Sequence, residues 1–492
     1  MKLQRNHKQA TAYLIGRAIL AIAGTGTAQT FHPDIPRAWD DKEVQRFELP
    51  LAQRDRSPRY LTADEYYALK VRPIYRTYPV YASGREPAGY MESLKQKEPE
   101  VVFDASKLRS REDWISAGEA VFNASLSPSS QIPAGDPITS EGIIPYGRYY
   151  IRQKGVVEKG FNSCAACHTR VLPNGVAVTG AQLDVQAEHA VAGFYRQASS
   201  SPEGAQQVRD FEWLFSGAPW ITARGDFDKS VTINELARRR EAMQAGVIER
   251  QGTSSSHPSH VPSLIGLEDV RYFDSTGLMR HRSIADLMRY VIVNYGLDFI
   301  AHYGDFQPSP RQLVFGVDAG VDGTRFSDEQ LYALALYIYS LQPPSNPNPF
   351  DDKARRGQRI FQQQGCAACH TPPLYTNNKL TPAPGFRVPE DLRKTDDIMN
   401  ISVGTDPGLA TQTRRGTGFY KVPSLRGVWY RNAFSHSGQA DTLEEWFDPA
   451  RLKEDYVPKG FHLASGPIKG HEFGLKLAPD DRQALIAFLK TL

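Results

Sequence analysis

Two distant stretches of the chain carry the same helical pattern of apolar positions. The segment FSDEQLYALALYIYSL (326–341) aligns without gaps on LAPDDRQALIAFLKTL (477–492). In both, apolar residues recur at i, i+3 or i+4, and i+7, which is the spacing of an amphipathic helix. Ser327 and Gln330 add a capping box at the start of the first copy. The pattern therefore predicts two similar units, each of which closes with a helix.

Further pairs of similar segments lie upstream of the closing helices. REDWISAGEAVFNASL (111–126) and DDKARRGQRIFQQQG (351–365) both show helical spacing of apolar residues, and both end shortly after a phenylalanine. Closer to the closing helices, HVPSLIGL (260–267) matches KVPSLRGV (421–428). The matches occur in the same order in both halves, which indicates a repeat at the level of whole domains.

The segment CAACHT occurs once in each half and holds all 4 cysteines of the chain: Cys164, Cys167, Cys366 and Cys369. His168 follows the first pair, and His370 follows the second. CxxCH is the attachment motif of c-type haem, in which both thiols bind one porphyrin and the histidine ligates the iron. A redox dithiol needs no histidine, and a zinc site would have to pool ligands from both motifs. The sequence therefore predicts two covalently bound haem c groups.

The order of these segments predicts the domain organisation. Each half reads helix, CxxCH, long irregular segment and closing helix, which is the plan of a cytochrome c domain. The proline-rich segment SLQPPSNPNPF (340–350) cannot continue a helix, so the domain boundary falls there. We predict a mainly α protein with two cytochrome c-type domains at 106–345 and 346–492 and long irregular loops. Residues 29–105 should form an N-terminal wrapping extension.

The first residues indicate export. A basic start, a mostly apolar run interrupted by Arg17, and small residues near Ala28 form the layout of a secretory signal peptide at 1–28. The apolar run is short for a membrane span, so an uncleaved anchor is the weaker alternative. We expect a periplasmic or secreted protein with no stable membrane span. The net charge of +3 gives no basic stripe typical of nucleic-acid binding.

The ligand opposite each motif histidine decides what each haem does. An iron with two strong protein ligands transfers electrons, whereas an open axial position can bind an oxidant. The last 93 residues contain no methionine, so the second iron must take a histidine or tyrosine there. His471 is the first candidate because it lies between glycines just before the closing helix, and His436 is the second. The remaining histidine of that region is His462. The candidates for the first iron are His257, His260, His281, His302 and Met279.

With VPSLRGVWYRNAFSHSGQADTLEEWF in its second half, the chain resembles the bacterial dihaem cytochrome c peroxidase superfamily over residues 106–492. The resemblance implies a reactive N-terminal haem and an electron-transfer C-terminal haem. The chain departs from the superfamily pattern between them, in YFDSTGLMRHRSIADLMRYVIVNYGLDF (272–299). Phe273 stands where the superfamily has an inter-haem tryptophan, and Leu287 stands where it has a glutamine. Gly296 or Leu297 takes the place of the catalytic glutamate.

This departure bears on the reaction. Heterolysis of hydrogen peroxide needs a distal acid/base, which contributes about 10²–10⁴-fold to the rate. An apolar distal site suits dioxygen and a hydrophobic substrate instead, although Asp298 lies one residue from the expected position. The segment EEWFDPARLKEDYVPKGF and the downstream IKGHEFGLKL resemble the dihaem rubber oxygenases, a branch that cleaves polyisoprene double bonds. That resemblance places His471 at the axial ligand position of the second haem.

Three functions therefore remain open. The first is an oxygenase that acts with dioxygen on apolar alkene, polyisoprenoid or lipid substrates, in which Phe273 shapes the distal pocket and the path between the haems. The second is a peroxidase that reduces hydrogen peroxide, with Asp298 or another carboxylate as its acid/base. The third is an electron-transfer cytochrome, which needs two strong axial ligands at the first haem as well. A small redox protein is the expected electron donor.

Overall fold

The computed structural model describes residues 31–125, 138–160, 162–221, 231–308 and 324–492. The signal peptide expected at 1–28 lies outside the described residues. The α-helices are α1 (Asp41–Phe47), α2 (Ala63–Ala68), α3 (Tyr90–Lys95), α4 (Arg111–Asn123), α5 (Cys164–Cys167), α6 (Ala187–Ala198), α7 (Pro202–Ser216), α8 (Ile233–Glu241), α9 (Ile284–Ile292), α10 (Asp298–Ile300), α11 (Asp328–Ser340), α12 (Asp352–Gln363), α13 (Glu390–Thr395), α14 (Gly408–Thr411), α15 (Leu443–Trp446) and α16 (Pro479–Lys490). A π-helical turn, Val293–Leu297, joins α9 to α10.

The strands are short, and most of them pair in twos. They are β1 (Pro58–Arg59), β2 (Lys70–Val71), β3 (Thr77–Tyr81), β4 (Ile143–Gln153), β5 (Val156–Gly160), β6 (Thr169–Val171), β7 (Ala177–Thr179), β8 (Val247–Ile248), β9 (Ser259–His260), β10 (Tyr272–Phe273), β11 (Met279–Arg280), β12 (His302–Tyr303), β13 (Thr324–Arg325), β14 (Leu380–Pro382) and β15 (Phe419–Lys421). A three-stranded antiparallel sheet has the order β3-β4-β5. Helices with small sheets therefore make up the fold, in agreement with the mainly α expectation.

The repeat appears in the structure as one helix crossing made twice. Helix α4 packs against α11, and α12 packs against α16. A Cβ at Gly118 would lie 2.0 Å from the carbonyl oxygen of Ala333, and a Cβ at Gly357 would lie 1.9 Å from that of Ala484. Only glycine allows the helices to approach so closely at these points. The same short contact at matching positions supports the alignment of the two halves.

Aromatic contacts next to each crossing repeat as well. The rings of Phe122 and Tyr337 have centroids 5.2 Å apart, and those of Phe361 and Phe488 have centroids 5.4 Å apart. These residues occupy matching positions of the repeat, and all four are buried. The capping box expected at the start of α11 is confirmed, because Ser327 and Gln330 each bond the other's backbone N–H. Residues 341–351, between α11 and α12, contain no helix or strand.

The N-terminal extension contacts both halves of the chain. The backbone N–H of Leu49 donates to Leu278 in the first half, and that of Ala52 donates to Gly416 in the second. Strand β1 pairs with β12, and β2 pairs in parallel with β13. Trp39 is fully buried in the core that also contains α4, α9 and α11. The described part of this segment, residues 31–105, therefore contacts both halves of the chain.

One expectation for the first half was wrong. The sequence pattern predicts a long irregular segment after the first CxxCH, but the structure places helices α6, α7 and α8 there. Arg240 at the centre of these helices is almost completely buried and ion-paired with Glu188, Glu212 and Glu249. Several of the buried positions are charged, so the hydrophobic periodicity that reveals α11 and α16 is weak in these helices. None of the described helices is long and apolar enough to cross a membrane.

Candidate functional site

The first CxxCH forms a single helical turn whose histidine is fixed by a backbone carbonyl. The Ser163 hydroxyl caps α5 by accepting from the Ala166 N–H, and the backbone N–H of His168 donates to Cys164. The Nδ1–H of His168 donates to the Pro262 carbonyl at 3.1 Å. This bond fixes the tautomer and leaves Nε2 as the nitrogen that can ligate a metal. Burial lowers the pKa of His168 to about 4, which keeps the imidazole neutral, as ligation requires.

The second CxxCH repeats this arrangement. Cys366–Ala368 form a 3-10 turn, and the backbone N–H of His370 donates to Cys366 at 2.8 Å. The Nδ1–H of His370 donates to the Tyr375 carbonyl at 3.1 Å, and the Pro423 carbonyl is a further backbone partner. Burial lowers the pKa of His370 as well. None of the four motif cysteines forms a disulfide bond in the described structure.

The ring of His471 lies opposite the ring of His370. Their centroids are 6.2 Å apart, and the ring planes are inclined at 60°. Two imidazoles that ligate one metal at about 2 Å each have ring centres roughly 6 Å apart, so the spacing fits one iron between them. Nδ1 of His471 is buried without a hydrogen-bond partner in the described structure. Burial and the neighbouring His370 lower the pKa of His471 to about 4.

The backbone holds His471 in an unusual conformation. Its φ is 48°, in the left-handed region that few non-glycine residues adopt. A Cβ on the preceding Gly470 would lie 2.3 Å from the backbone nitrogen of Thr405, so this loop approach requires glycine. The guanidinium of Arg451 donates to the carbonyls of Gly470 and His471, at 3.0 Å each. Strain of this kind is concentrated at functional sites, where the surrounding contacts maintain it.

A large cavity surrounds the facing histidines. The cavity has a volume of about 230 Å³ and is lined by Cys366, His370 and His471. Its walls are mainly apolar, with Phe361, Val428, Phe434, Trp446, Leu485 and Leu489 among them. We call it the second-haem cavity. An apolar cavity that joins one CxxCH cysteine to two opposed imidazoles fits a covalent haem.

His436, the second candidate for the axial ligand, lies in the same cavity but does not face His370. Its ring stacks on Tyr420, with centroids 4.3 Å apart and an interplanar angle of 22°. The His436 carbonyl accepts from both the backbone N–H and the Nδ1–H of His260, at 3.2 Å each. Its Nε2 is buried without a described partner. The geometry therefore favours His471 over His436 as the ligand.

Several candidates for the first iron are engaged elsewhere. His281 bonds the Val270 carbonyl through Nδ1 and the Tyr339 hydroxyl through Nε2. His302 is exposed on β12, and His260 lines the second-haem cavity. Within the described part of the chain, no ring faces His168 as His471 faces His370. Within the described residues, the two CxxCH sites therefore differ in whether an aromatic or imidazole ring contacts the motif histidine.

Phe273 lies between the two matching VPSL segments. A small space there is lined by Pro262, Pro423 and Phe273, and we call it the inter-motif gap. Phe273 is buried and packs between Tyr290 and His281, with both centroid distances at 4.6 Å. Since Pro262 and Pro423 each contact a motif histidine, an aromatic ring in this gap lies between the two sites.

Asp298 is committed to a buried ion-pair network. It accepts from the Tyr303 hydroxyl at 2.6 Å and from Arg414 at 3.1 Å, and Arg415 lies 3.7 Å away. These partners outweigh burial and lower the pKa of Asp298, so the group is held as a carboxylate. Both carboxylate oxygens have cationic or hydroxyl partners. A carboxylate fixed in this way is a poor distal acid/base.

The residues around the first motif are apolar where the superfamily pattern has polar groups. Leu287 and Leu297 belong to the same hydrophobic cluster as Cys164. The sequence patterns do not single out Tyr295, whose hydroxyl lies 2.8 Å from Cys164 Sγ. Tyr295 is in the π-helical turn, where Gly296 adopts a φ of 131°. Gly296 was the sequence signal that could have indicated this turn, because a glycine can interrupt a helix. A π-turn within a helix often marks a functional site.

Comparisons with known proteins find partial sequence similarity to cytochrome c peroxidases. No protein-family model matches the chain. The chain is 26% identical over 175 residues to the cytochrome c551 peroxidase of Pseudomonas aeruginosa, and this match covers 34% of the chain and 43% of that protein. It is 27% identical over 206 residues to a cytochrome-c peroxidase of Denitromonas iodatirespirans, with 35% of the chain and 51% of that protein covered.

Both of these proteins are named cytochrome c peroxidases, so the similarity supports a haem-dependent oxidoreductase. The matches span about half the length of the curated relatives. Neither relative carries the name of a rubber oxygenase, so that branch enters only as a proposal.

Solved structures give weaker likenesses. A MauG-like protein associated with microbial copper homeostasis aligns at 17% identity over 59% of this chain and 88% of its own, with a TM-score of 0.29. A variant of the diheme peroxidase BthA from Burkholderia thailandensis aligns at 17% identity over 86% of this chain and 93% of its own, with a TM-score of 0.27. TM-scores this low do not establish a shared fold.

Proposed function

We propose that this chain is an exported dihaem c-type cytochrome oxidoreductase with two unlike sites. His370 and His471 form the electron-transfer site, and His168 belongs to the reactive site. The observation that carries the proposal is the spacing of 6.2 Å between the His370 and His471 rings. Within the described residues, His168 has no such counterpart. Covalent haem attachment and the N-terminal pattern together favour the periplasm or a secreted location.

Bound haem c supplies an iron that exchanges electrons and that can bind an oxidant at an open axial position. The carbonyls of Pro262 and Tyr375 accept hydrogen bonds from His168 and His370 and so fix the orientation of these two imidazole rings. His370 and His471 would together hold the second haem. We assign Phe273 to the path between the sites, because it lines the inter-motif gap.

For the reactive site we propose oxygenation of an apolar alkene, polyisoprenoid or lipid with dioxygen. The observation that favours it is the pairing of Asp298 with Arg414 and Tyr303. Leu287 and Leu297 also favour it, because they belong to the hydrophobic core against which Cys164 packs. Binding of an apolar substrate against an apolar wall gains about 25 cal/mol of free energy for each Å² of apolar surface removed from water.

Reduction of hydrogen peroxide is the second candidate, and the names of both curated relatives favour it. A phenol or carboxylate close to the first motif would have to replace the distal glutamate of the superfamily. Tyr295 is the described residue in the best position, because its hydroxyl contacts Cys164. A small redox protein remains the proposed electron donor for either reaction.

A parallel assay separates the two reactions. Oxygen uptake with squalene, latex and oleate is measured beside peroxide turnover with a reduced cytochrome or dye. We expect oxygen uptake without added peroxide, and a peroxide turnover lower by about 10²–10⁴-fold than an intact distal acid/base would give. Products should contain carbonyl or hydroperoxide groups.

Two variants sharpen this assay. Asp298→Asn should leave peroxide turnover unchanged. Tyr295→Phe tests whether the Tyr295 hydroxyl contributes to peroxide turnover. Fast peroxide turnover that Tyr295→Phe or Asp298→Asn abolishes, with no oxygen uptake on any alkene, would refute the oxygenase and establish the peroxidase. Pyridine haemochrome quantitation of each preparation provides the haem-content control.

A further inference from the structure

Lys421 occupies the position in the second half that His260 occupies in the first. Each stands two residues before the proline of a VPSL segment, and the carbonyls of Pro262 and Pro423 contact the two motif histidines. Both Lys421 and His260 line the second-haem cavity and the inter-motif gap. The repeat therefore places a primary amine, in one half only, where the two candidate haem sites meet.

The described partners of the Lys421 ammonium do not satisfy its charge. Its Nζ donates to the carbonyl of Tyr272 at 3.2 Å, whereas an ammonium has three donors. The acidic group that most favours its charge is Asp274. Asp274 already accepts from Arg250 at 2.6 Å, from Tyr290 at 2.6 Å and from Arg415 at 3.0 Å. Lys421 is partly buried, and a desolvated cation whose nearest carboxylate is already shared gains from a further acceptor.

The surrounding network has an excess of positive charge. Arg250 and Arg415 pair with Asp274, and Arg414 and Arg415 pair with Asp298. With Lys421, four cations therefore share two carboxylates. Arg431, which also lines the second-haem cavity, adds to the repulsion on Lys421. Burial lowers the pKa of Lys421 to about 8, so the side chain is a cation at neutral pH.

We propose that Lys421 holds a propionate carboxylate of the haem attached at Cys366 and Cys369, and that its charge raises the midpoint potential of that iron. A positive charge beside an iron stabilises the reduced state, because reduction removes one positive charge from the metal. Lys421 thereby makes the second site a better electron acceptor. The inference rests on the proposed function, since it requires a haem in the second-haem cavity.

Potentiometric titration of the whole two-haem protein tests this role. Lys421→Met removes the charge at similar size, Lys421→Arg keeps it, and Lys379→Met removes an exposed lysine from the neighbouring segment as a matched control. We expect Lys421→Met to change the reduced-to-oxidised ratio of the second iron at least tenfold toward the oxidised form. This is a downward shift of at least 59 mV for a one-electron couple. Lys421→Arg and Lys379→Met should keep the wild-type potential.

Haem retention gives a second readout. Loss of the second haem in Lys421→Met but not in Lys421→Arg supports the proposal, because Met removes the positive charge whereas Arg keeps it. Wild-type potentials in Lys421→Met, or equal haem loss in both variants, would overturn it. A wild-type protein with a single haem, or without a low-spin bis-histidine spectrum, would instead refute the proposed function. The two failures are therefore distinguishable.

Discussion

His471→Ala should convert the second haem from a low-spin to a high-spin state while the spectrum of the first haem stays unchanged. The His471 ring lies 6.2 Å from that of His370, which fits two imidazoles on one iron. Removal of one strong axial ligand leaves an open position and a weaker ligand field. Low-temperature electron paramagnetic resonance and the absorption spectrum measure the change.

His436→Ala is the matched control for this prediction. It removes an imidazole from the same cavity, but one that stacks on Tyr420 and does not face His370. We expect its second haem to remain low-spin. If His436→Ala produced the high-spin signal and His471→Ala did not, the assignment of the axial ligand would be wrong.

Cys164→Ala combined with Cys167→Ala should yield protein with half of the wild-type covalent haem. Each pair of thiols lies on one turn next to its own histidine, so the two attachments are independent. Pyridine haemochrome analysis after denaturation counts the haem that stays bound to the chain. The protein should retain the haem whose ligands are His370 and His471.

Cys366→Ala combined with Cys369→Ala is the reciprocal variant. It should also lose half of the covalent haem, and its low-spin bis-histidine signal should disappear. Two haems per chain that survive the change at Cys164 and Cys167 would rule out covalent attachment at that motif.

The repeated helices could be predicted from the sequence because they depend on local periodicity, whereas their crossing was seen only in the structure. The apolar faces of α11 and α16 have the same spacing, and the crossing needs a glycine at the same place in α4 and α12. Helix caps could be predicted too, since Ser327 and Gln330 are neighbours in the chain. In each case the signal lies within a few residues.

Long-range contacts were not accessible in this way. Strand β2 pairs with β13 across some 250 residues, and each strand has only two residues and no distinctive pattern. Helices α6, α7 and α8 bury Arg240 with three glutamates, so hydrophobic periodicity does not mark them. The ion pairs of Asp298 with Arg414 and Arg415 also depend on how the two halves meet.

The same distinction between local signals and long-range contacts applies to the residues of the candidate site. The CxxCH residues and His471 could be proposed as ligands from the sequence because motif spacing and flanking glycines are local signals. Tyr295 and Lys421 could not, because their roles depend on the nearby Cys164 thiol and on the charges around Asp274. The alignment of His260 with Lys421 was visible in the sequence, but its consequence required the structure.

Quantitative electron paramagnetic resonance of the ferric wild-type protein tests the central claim of two unlike haem sites most directly. The facing pair of His370 and His471, with no described ring opposite His168, predicts one low-spin bis-histidine haem per chain and a high-spin fraction from the other. Low-spin signals that account for both haems would contradict this account and indicate an electron-transfer cytochrome.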